Sequence, residues 1–309
     1  HAERKAVHIR FAFRQRQVNM NITRALGAFS GGLDGMVAAA VLAEQGMDVH
    51  LATFDSPFFS CVDGRDAAAR MGLPWREIDY TEEMLDLLRD PPSGFGKNLN
   101  PCIDCHAGMF RKLGRIAEKE GFQVIFSGEV LGQRPMSQNR NSLNRVANLS
   151  GFGEILLRPL SALLLPETGP ERKGLVDRSR LMDISGRGRK RQISFAEERG
   201  FEYRNPGGGC LLTEPNYCMR LKVLMDIPGF LTPRNARLIS HGRFFRLSED
   251  TVALVGRDQN DNECLEALAG HLPTFELEDV PGPTGVLMGD PDRMPDLVAL
   301  VKKYAGVRS

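Results

Sequence analysis

Three stretches of the chain carry residue types and spacings that can do chemistry. The first, Ser30-Gly31-Gly32-Leu33-Asp34-Gly35, sits between an apolar run and an alanine-rich helical pattern. Gly31 and Gly32 can take backbone angles closed to other residues and let a phosphate approach the main chain. Exposed amides and a helix start then favour an anion. The spacing is neither GxxxxGKS/T nor GxGxxG, so the common triphosphate and dinucleotide fingerprints are absent. The second stretch holds Cys102 and Cys105 as a CxxC at the mouth of a helix, where amides and the positive helix end favour thiolates. Zinc, a redox disulfide and an iron–sulfur centre all use such a pair, and the spacing alone leaves them open. Cys210, in the glycine-rich "NPGGGC", adds a third thiol far downstream, and Cys218 or His106 would complete a closed structural site. The third stretch, "FSGEVLGQRPMSQ" from Phe126 to Gln138, places Ser127, Gly128, Glu129, Gln133, Ser137 and Gln138 on a polar loop after an apolar strand.

Such groups meet only if a scaffold brings them to one edge, and the pattern supplies one. From Met20 to about Gly200, short apolar runs alternate with amphipathic stretches, which predicts an α/β fold with a doubly wound parallel sheet. "RALGAF", "DVHLATF", "WREID" and "QVIFSG" read as strands, with helices over "MVAAAVLAEQG", "CVDGRDAAARMG", Thr81 to Arg89 and "GMFRKLGRIAEKEG". Thiolates above the carboxyl ends of these strands would face one point, where doubly wound proteins bind ligands. "GGGCLLTEPNYC" is a turn-rich connector, and "HGRFFRLSEDTVALVGR" then reads as paired strands around a polar turn. The predicted organisation is a basic tail or extension over 1–19, a main domain over 20–225 and a smaller α+β domain over 226–309.

At 309 residues and 42% apolar composition the chain can bury a sizeable core in two domains. Its 40 basic and 39 acidic residues nearly cancel, so a nucleic-acid surface must come from local clustering. Arg187, Arg189, Lys190 and Arg191 in "SGRGRKRQ" form such a cluster and predict a flexible cationic segment following phosphates. Six cysteines are too few for a disulfide framework, no stretch of about 18 apolar residues suggests a membrane span, and the chain reads as cytoplasmic.

The "SGGLDG" turn resembles SGGxDS, the pyrophosphate loop of the PP-loop ATP pyrophosphatases, with Ser30, Gly31, Gly32 and Asp34 on the motif and Gly35 where that family has a closing serine. The resemblance implies that ATP is cleaved between its α and β phosphates, with Asp34 and the loop amides handling pyrophosphate and Mg²⁺. It also implies that Thr53 and Phe54 flank adenine. Cys102, Cys105 and Cys210 resemble the two-plus-one cysteines of iron–sulfur-dependent tRNA thiolation enzymes, which implies a [4Fe–4S] cluster, with zinc as the lesser alternative. "NPCIDC" also resembles the cysteine loop of the tRNA 2-thiouridylases, which implies a persulfide and a resolving disulfide without metal. "FSGEVLGQRPMSQ" resembles the GE.LGQ..SQ segment of the tRNA 4-thiouridine synthetases, which implies that Gly128, Glu129 and Gln133 line the nucleotide and target base.

Near the carboxyl end, "GR..NDNE.L" resembles the RNA-binding domain NFACT-R and implies phosphate contacts at Arg243, Arg246 and Arg257. The expectation is an ATP-dependent tRNA sulfurtransferase whose partners are tRNA and a sulfur donor: sulfide, a persulfide or a cysteine desulfurase. The alternatives are a PP-loop amidotransferase or ligase acting on a small molecule around a structural zinc, and a non-catalytic RNA-binding protein with a degenerate ATP loop.

Overall fold

The computed structural model describes residues 22–203, 209–278 and 280–306. The predicted tail over 1–19 and the first residues of "NPGGGC" lie outside them. The chain divides into two compact units: the first takes residues up to Asp55, Ser60–Gly96 and Pro101–Gly207, and the second takes Ser56–Phe59, Lys97–Asn100 and the chain from Gly208.

In the first unit the elements are β1 (Arg24–Ala28), α1 (Leu33–Ala43), β2 (Asp48–Asp55), α2 (Val62–Met71), β3 (Trp75–Asp79), α3 (Thr81–Arg89), α4 (Cys102–Glu120), β4 (Val124–Ser127), α5 (Arg140–Ser150), β5 (Leu156–Leu157), α6 (Gly169–Arg172) and α7 (Lys190–Glu198). The five strands are all parallel, in the order β3-β2-β1-β4-β5. The order therefore reverses between β1 and β4, the point at which an open sheet leaves a crevice beyond its carboxyl ends. Helix α4 starts at Cys102, earlier than the apolar pattern from Gly108 suggests, so both thiols of the CxxC lie in its first turn.

Val124, Ile125 and Phe126 of β4 are all buried, and since successive strand residues point to opposite faces, the sheet is covered on both. One apolar layer joins Met36, Val37 and Leu42 of α1 with Ala67 of α2 and Ala196 of α7. Met84 and Leu88 of α3 and Phe110 and Leu113 of α4 are buried as well. Helix α1 is buried at every position from Met36 to Leu42, as expected of a helix apolar all round.

A buried ion pair fastens the two strands on the far side of the reversal. Arg158, just after β5, donates from Nε to Glu129, just after β4, at 2.8 Å, with both side chains about nine-tenths or more buried. The same guanidinium donates to the Leu143 carbonyl of α5 at 3.2 Å. Burial alone would raise the Glu129 carboxyl, but the Arg158 charge and a hydrogen bond from His106 outweigh it and bring the pKa down from 4.5 to about 2.

The second unit contains α8 (Pro215–Asp226), α9 (Pro233–Leu238), β6 (Arg243–Arg246), β7 (Val252–Val255), α10 (Gln259–Ala269), β8 (Thr274–Phe275), β9 (Gly285–Met288) and α11 (Met294–Tyr304). Its strands form an antiparallel sheet in the order β6-β7-β9-β8. Ala253, Val255 and Leu287 meet Leu297 and Val301 of α11 in a core of their own. Helix α8 belongs to this unit rather than ending the preceding domain at 225. The Tyr217 hydroxyl donates to the Ala236 carbonyl of α9 at 2.8 Å, and Arg220 donates to the Ile239 carbonyl at 2.8 Å.

The ion pair gives a signed prediction. Because the folded pKa of Glu129 lies below its ordinary value, its stabilisation is present above about pH 4.5 and is lost as pH falls toward about 2. Arg158→Met strands a buried carboxylate and should cost about 3–5 kcal/mol at neutral pH. The deficit should narrow on acidification, because protonation relieves the variant and weakens the wild type. Urea midpoints across pH 3 to 8 measure this, and a pH-independent deficit would assign the loss to packing instead.

Candidate active site

The glycine turn occupies the crevice at the reversal. Gly31 has φ +78°, and a Cβ there would lie 2.4 Å from the Asp63 carbonyl oxygen at the start of α2. Only glycine meets both conditions. On the other side, a Cβ on Gly128 would stand 2.5 Å from the Gly35 amide nitrogen and 2.7 Å from the Asp34 carbonyl carbon. The end of β4 is thus pressed against the turn, and Gly128 serves by having no side chain. No side chain caps α1, whose N-cap is Gly32, so its first amides are available to an anion.

Asp34 is the hub of the turn. Its carboxylate accepts from Gln133 Nε2 at 3.0 Å and Gln192 Nε2 at 3.3 Å, and pairs with Arg189 at 3.4 Å. Gln133 comes from the loop after β4, as the sequence implied, whereas Gln192 and Arg189 come from the start of α7. Gln192 is fully buried, and its Oε1 has no hydrogen-bond partner. An orphaned acceptor beside an aspartate calls for a donor, such as a water or hydroxyl of a ligand, while the uncapped helix amides suit an anion. The signal for Gln192 was available: it shares the buried face of α7 with Ala196, one helical turn on, and a glutamine in that place needs a reason.

The basic segment is therefore not uniformly a free phosphate tracker. Arg189 faces Asp34, and Arg191 pairs with Asp183 at 2.5 Å. Arg187 and Lys190 are exposed. Thr53 and Phe54 are buried: Thr53 Oγ1 accepts from Trp75 Nε1 at 2.9 Å, and the Phe54 ring packs edge-on to Tyr80 at 5.3 Å. Both are wall residues of the sheet end.

Cys102 is partly exposed at the first position of α4 and Cys105 is buried. Next to Cys105, His106 Nδ1 lies 2.8 Å from Glu129 Oε1. A carboxylate held ionised can only accept, so Nδ1 carries the proton. Through Glu129 and Gly128, α4 is thereby linked to the glycine turn. His106 was considered in the sequence only as a possible metal ligand. Arg158, which holds Glu129 from behind, was missed, since an isolated arginine after a two-residue strand has no distinguishing pattern.

In the second unit, the buried Cys218 thiol donates to the Leu212 carbonyl at 3.2 Å, and Cys210 is partly exposed at the start of a short turn. Among the described residues no group of three or more His, Cys, Asp and Glu side chains is gathered to hold a metal ion. The arginines expected to contact RNA have work within this unit. Arg257 grips Asp261 with two nitrogens, at 2.5 and 3.0 Å, and these hydrogen bonds hold that carboxyl well below its ordinary range despite burial. Arg246 donates to the Ser248 and Glu249 carbonyls, and Arg243 to that of Gly256. No helix among the described residues is long and apolar enough to cross a membrane.

Residues 22–163 match the family model described as thiamine biosynthesis protein (ThiI), and residues 242–305 match the NFACT protein RNA binding domain. The tRNA-specific 2-thiouridylase MnmA of Azorhizobium caulinodans is 33% identical over 144 residues, 40% of this chain and 37% of that protein. The corresponding protein of Parvibaculum lavamentivorans is 28% identical over 202 residues, 56% of this chain and 49% of that one. The match thus spans half or less of either relative. A solved 4-thiouridine synthetase–RNA complex with bound ATP aligns at a TM-score of 0.37 and 20% identity, covering 58% of this chain and 50% of that one. The SGGxD turn at the reversal of the parallel sheet thus lies within the stretch that matches the ThiI family model, and the antiparallel sheet of the second unit lies within the stretch that matches the NFACT RNA binding domain.

Proposed function

We propose that the protein is an ATP-dependent tRNA sulfurtransferase that activates a uridine carbonyl and replaces its oxygen with sulfur. The observation that carries this reading is the Asp34 site: an uncapped helix start, a glycine turn, Arg189 and an orphaned Gln192 oxygen at the sheet reversal, joined through Glu129 and His106 to the helix that bears the CxxC. The uridine oxygen attacks the α-phosphorus of ATP and pyrophosphate leaves. A sulfur nucleophile then adds to the activated carbon and AMP departs with the original oxygen. The α1 amides and Arg189 would neutralise the leaving pyrophosphate, and fixed donors of this kind are commonly the largest catalytic contribution. Asp34 would hold Mg²⁺ together with phosphate oxygens, and the ion supplies charge neutralisation there. Arg189 is assigned here to ATP rather than to RNA.

Cys102 and Cys105 are the sulfur-handling groups in this reading, with a persulfide, sulfide or cysteine desulfurase as donor. The finer expectation, a [4Fe–4S] cluster on Cys102, Cys105 and Cys210, finds no three-ligand group among the described residues, and no step above runs through one. Arg243, Arg246 and Arg257 of the second unit, and Arg187 and Lys190 of the first, would contact tRNA phosphates.

Two measurements test the reading. Arg189→Ala should slow pyrophosphate release about a hundredfold or more, on the scale of losing one fixed donor, and Asp34→Ala should slow it at least as much by removing the carboxylate that would hold Mg²⁺, while the melting temperature of each stays near that of wild type. Equal rates would remove the turn from the chemistry. Cys102→Ser should abolish thiouridine in tRNA, read by nucleoside mass spectrometry, while sparing pyrophosphate release. Iron and labile sulfide in anaerobically purified protein, both lost on that substitution, would instead establish the cluster.

A further inference from the structure

The RNA-binding unit carries an aromatic and cationic face that the arginine motif did not reveal. Strand β6 lies at the edge of its sheet. Its register, Arg243 opposite Val255 and Phe245 opposite Ala253, puts Arg243 and Phe245 on the face covered by α11. The last turn of α11 brings Tyr304 onto both. The Arg243 guanidinium lies 4.5 Å from the Tyr304 ring centroid, Lys303 Nζ lies 5.6 Å from it, and the Phe245 ring is 5.8 Å away. Tyr304 keeps 38% of its surface exposed although it ends a helix that packs on the core. Lys302 and Lys303 are also exposed.

Among the described residues, the charges of this face are not spent on internal carboxylates. Arg243, among the described residues, donates only to the Gly256 carbonyl, a neutral acceptor. Among the described residues, neither it nor Lys302 nor Lys303 has a carboxylate partner. A half-exposed ring flanked by uncompensated cations suits an unpaired nucleobase that stacks on the ring while its neighbouring phosphates meet the cations. Duplex RNA keeps its bases stacked inside and has no face to offer. We propose that Tyr304, supported by Phe245 and Arg243 and flanked by Lys302 and Lys303, is a stacking platform for single-stranded RNA, indifferent to sequence. The proposal rests on the reading of tRNA as partner, and places an unpaired tRNA segment on this face.

The test uses the full chain with a labelled oligouridylate, an RNA duplex and whole tRNA, by anisotropy at several salt concentrations. Tyr304→Ala should weaken oligouridylate binding about five- to a hundredfold, leave the salt slope unchanged and spare the duplex. Tyr304→Phe should bind as wild type. Lys302→Gln with Lys303→Gln should lower the salt slope by about 1.4, since each single-strand phosphate contact contributes about 0.7. If Tyr304→Ala lowers the melting temperature, Tyr304→Leu decides, because it fills the space over Phe245 without offering a π face. Undiminished oligouridylate binding by Tyr304→Leu or Tyr304→Ala overturns the platform, as does equal loss with the duplex. If the wild type binds tRNA yet these variants match it, only the platform falls. If the wild type binds neither tRNA nor oligouridylate, the reading of tRNA as partner falls with it.

Discussion

The ionised carboxylate of Glu129 is the constraint from which the first unit's site is built. A charge taken out of water must be met on every side, and here Arg158, His106 and Ser127 meet it. Each partner comes from a different place: Arg158 from beyond β5, His106 from the first turns of α4, and Ser127 from the end of β4 itself. Satisfying one carboxylate therefore fixes three elements at once. Gly128, between Ser127 and Glu129, is then held against the glycine turn, and the turn is held against the sheet. The site is rigid because a buried charge leaves its neighbours few alternative arrangements.

A second carboxylate, Asp34, works differently. It is 15% exposed and gathers neutral amides and one arginine rather than a buried cation. Its partners come from the loop after β4 and the start of α7, and its one cation, Arg189, is 26% exposed where Arg158 is buried. The arrangement is consistent with a carboxylate that exchanges partners when phosphates arrive, beside one that does not exchange at all. The same contrast holds in the second unit. Asp261, gripped by Arg257, caps the structure around Gly242, whereas the cations near Tyr304 have no acidic partner among the described residues.

Much of this was legible in the sequence. The apolar runs of β1, β2 and β4 and the glycine turn specify a parallel sheet with a tight strand-to-helix turn at its carboxyl end, because the period of hydrophobicity and the permissions of glycine are local properties. Asp34 and Gln133 were legible for the same reason, each lying within a short ordered motif. The pairing of Arg189 with Asp34 was not legible, because charge alone cannot say whether an arginine faces solvent or an aspartate far away in sequence. Arg158 was invisible because its meaning lies in what it touches, whereas Gln192 could have been read from its place one helical turn before Ala196. The early start of α4 was missed because Pro101 and the polar residues after it mask the helical period, although proline just before a first turn is a common way to begin one. Helix α8 was assigned to the wrong side of a boundary because a composition change at a turn-rich connector does not say which side the next helix will pack on.

The chain has a single tryptophan, and its place gives it a use unrelated to catalysis. The Trp75 indole nitrogen donates to Thr53, and Thr53 is in turn pressed against Gly64, where a Cβ would lie 2.1 Å from its hydroxyl. Gly64 directly follows Asp63, whose carbonyl lies against Gly31. The one indole chromophore is thus joined by three tight contacts to the glycine turn, and its surroundings polarise with that hydrogen bond. Its emission is an intrinsic optical gauge of the turn, undiluted by any other tryptophan in the chain.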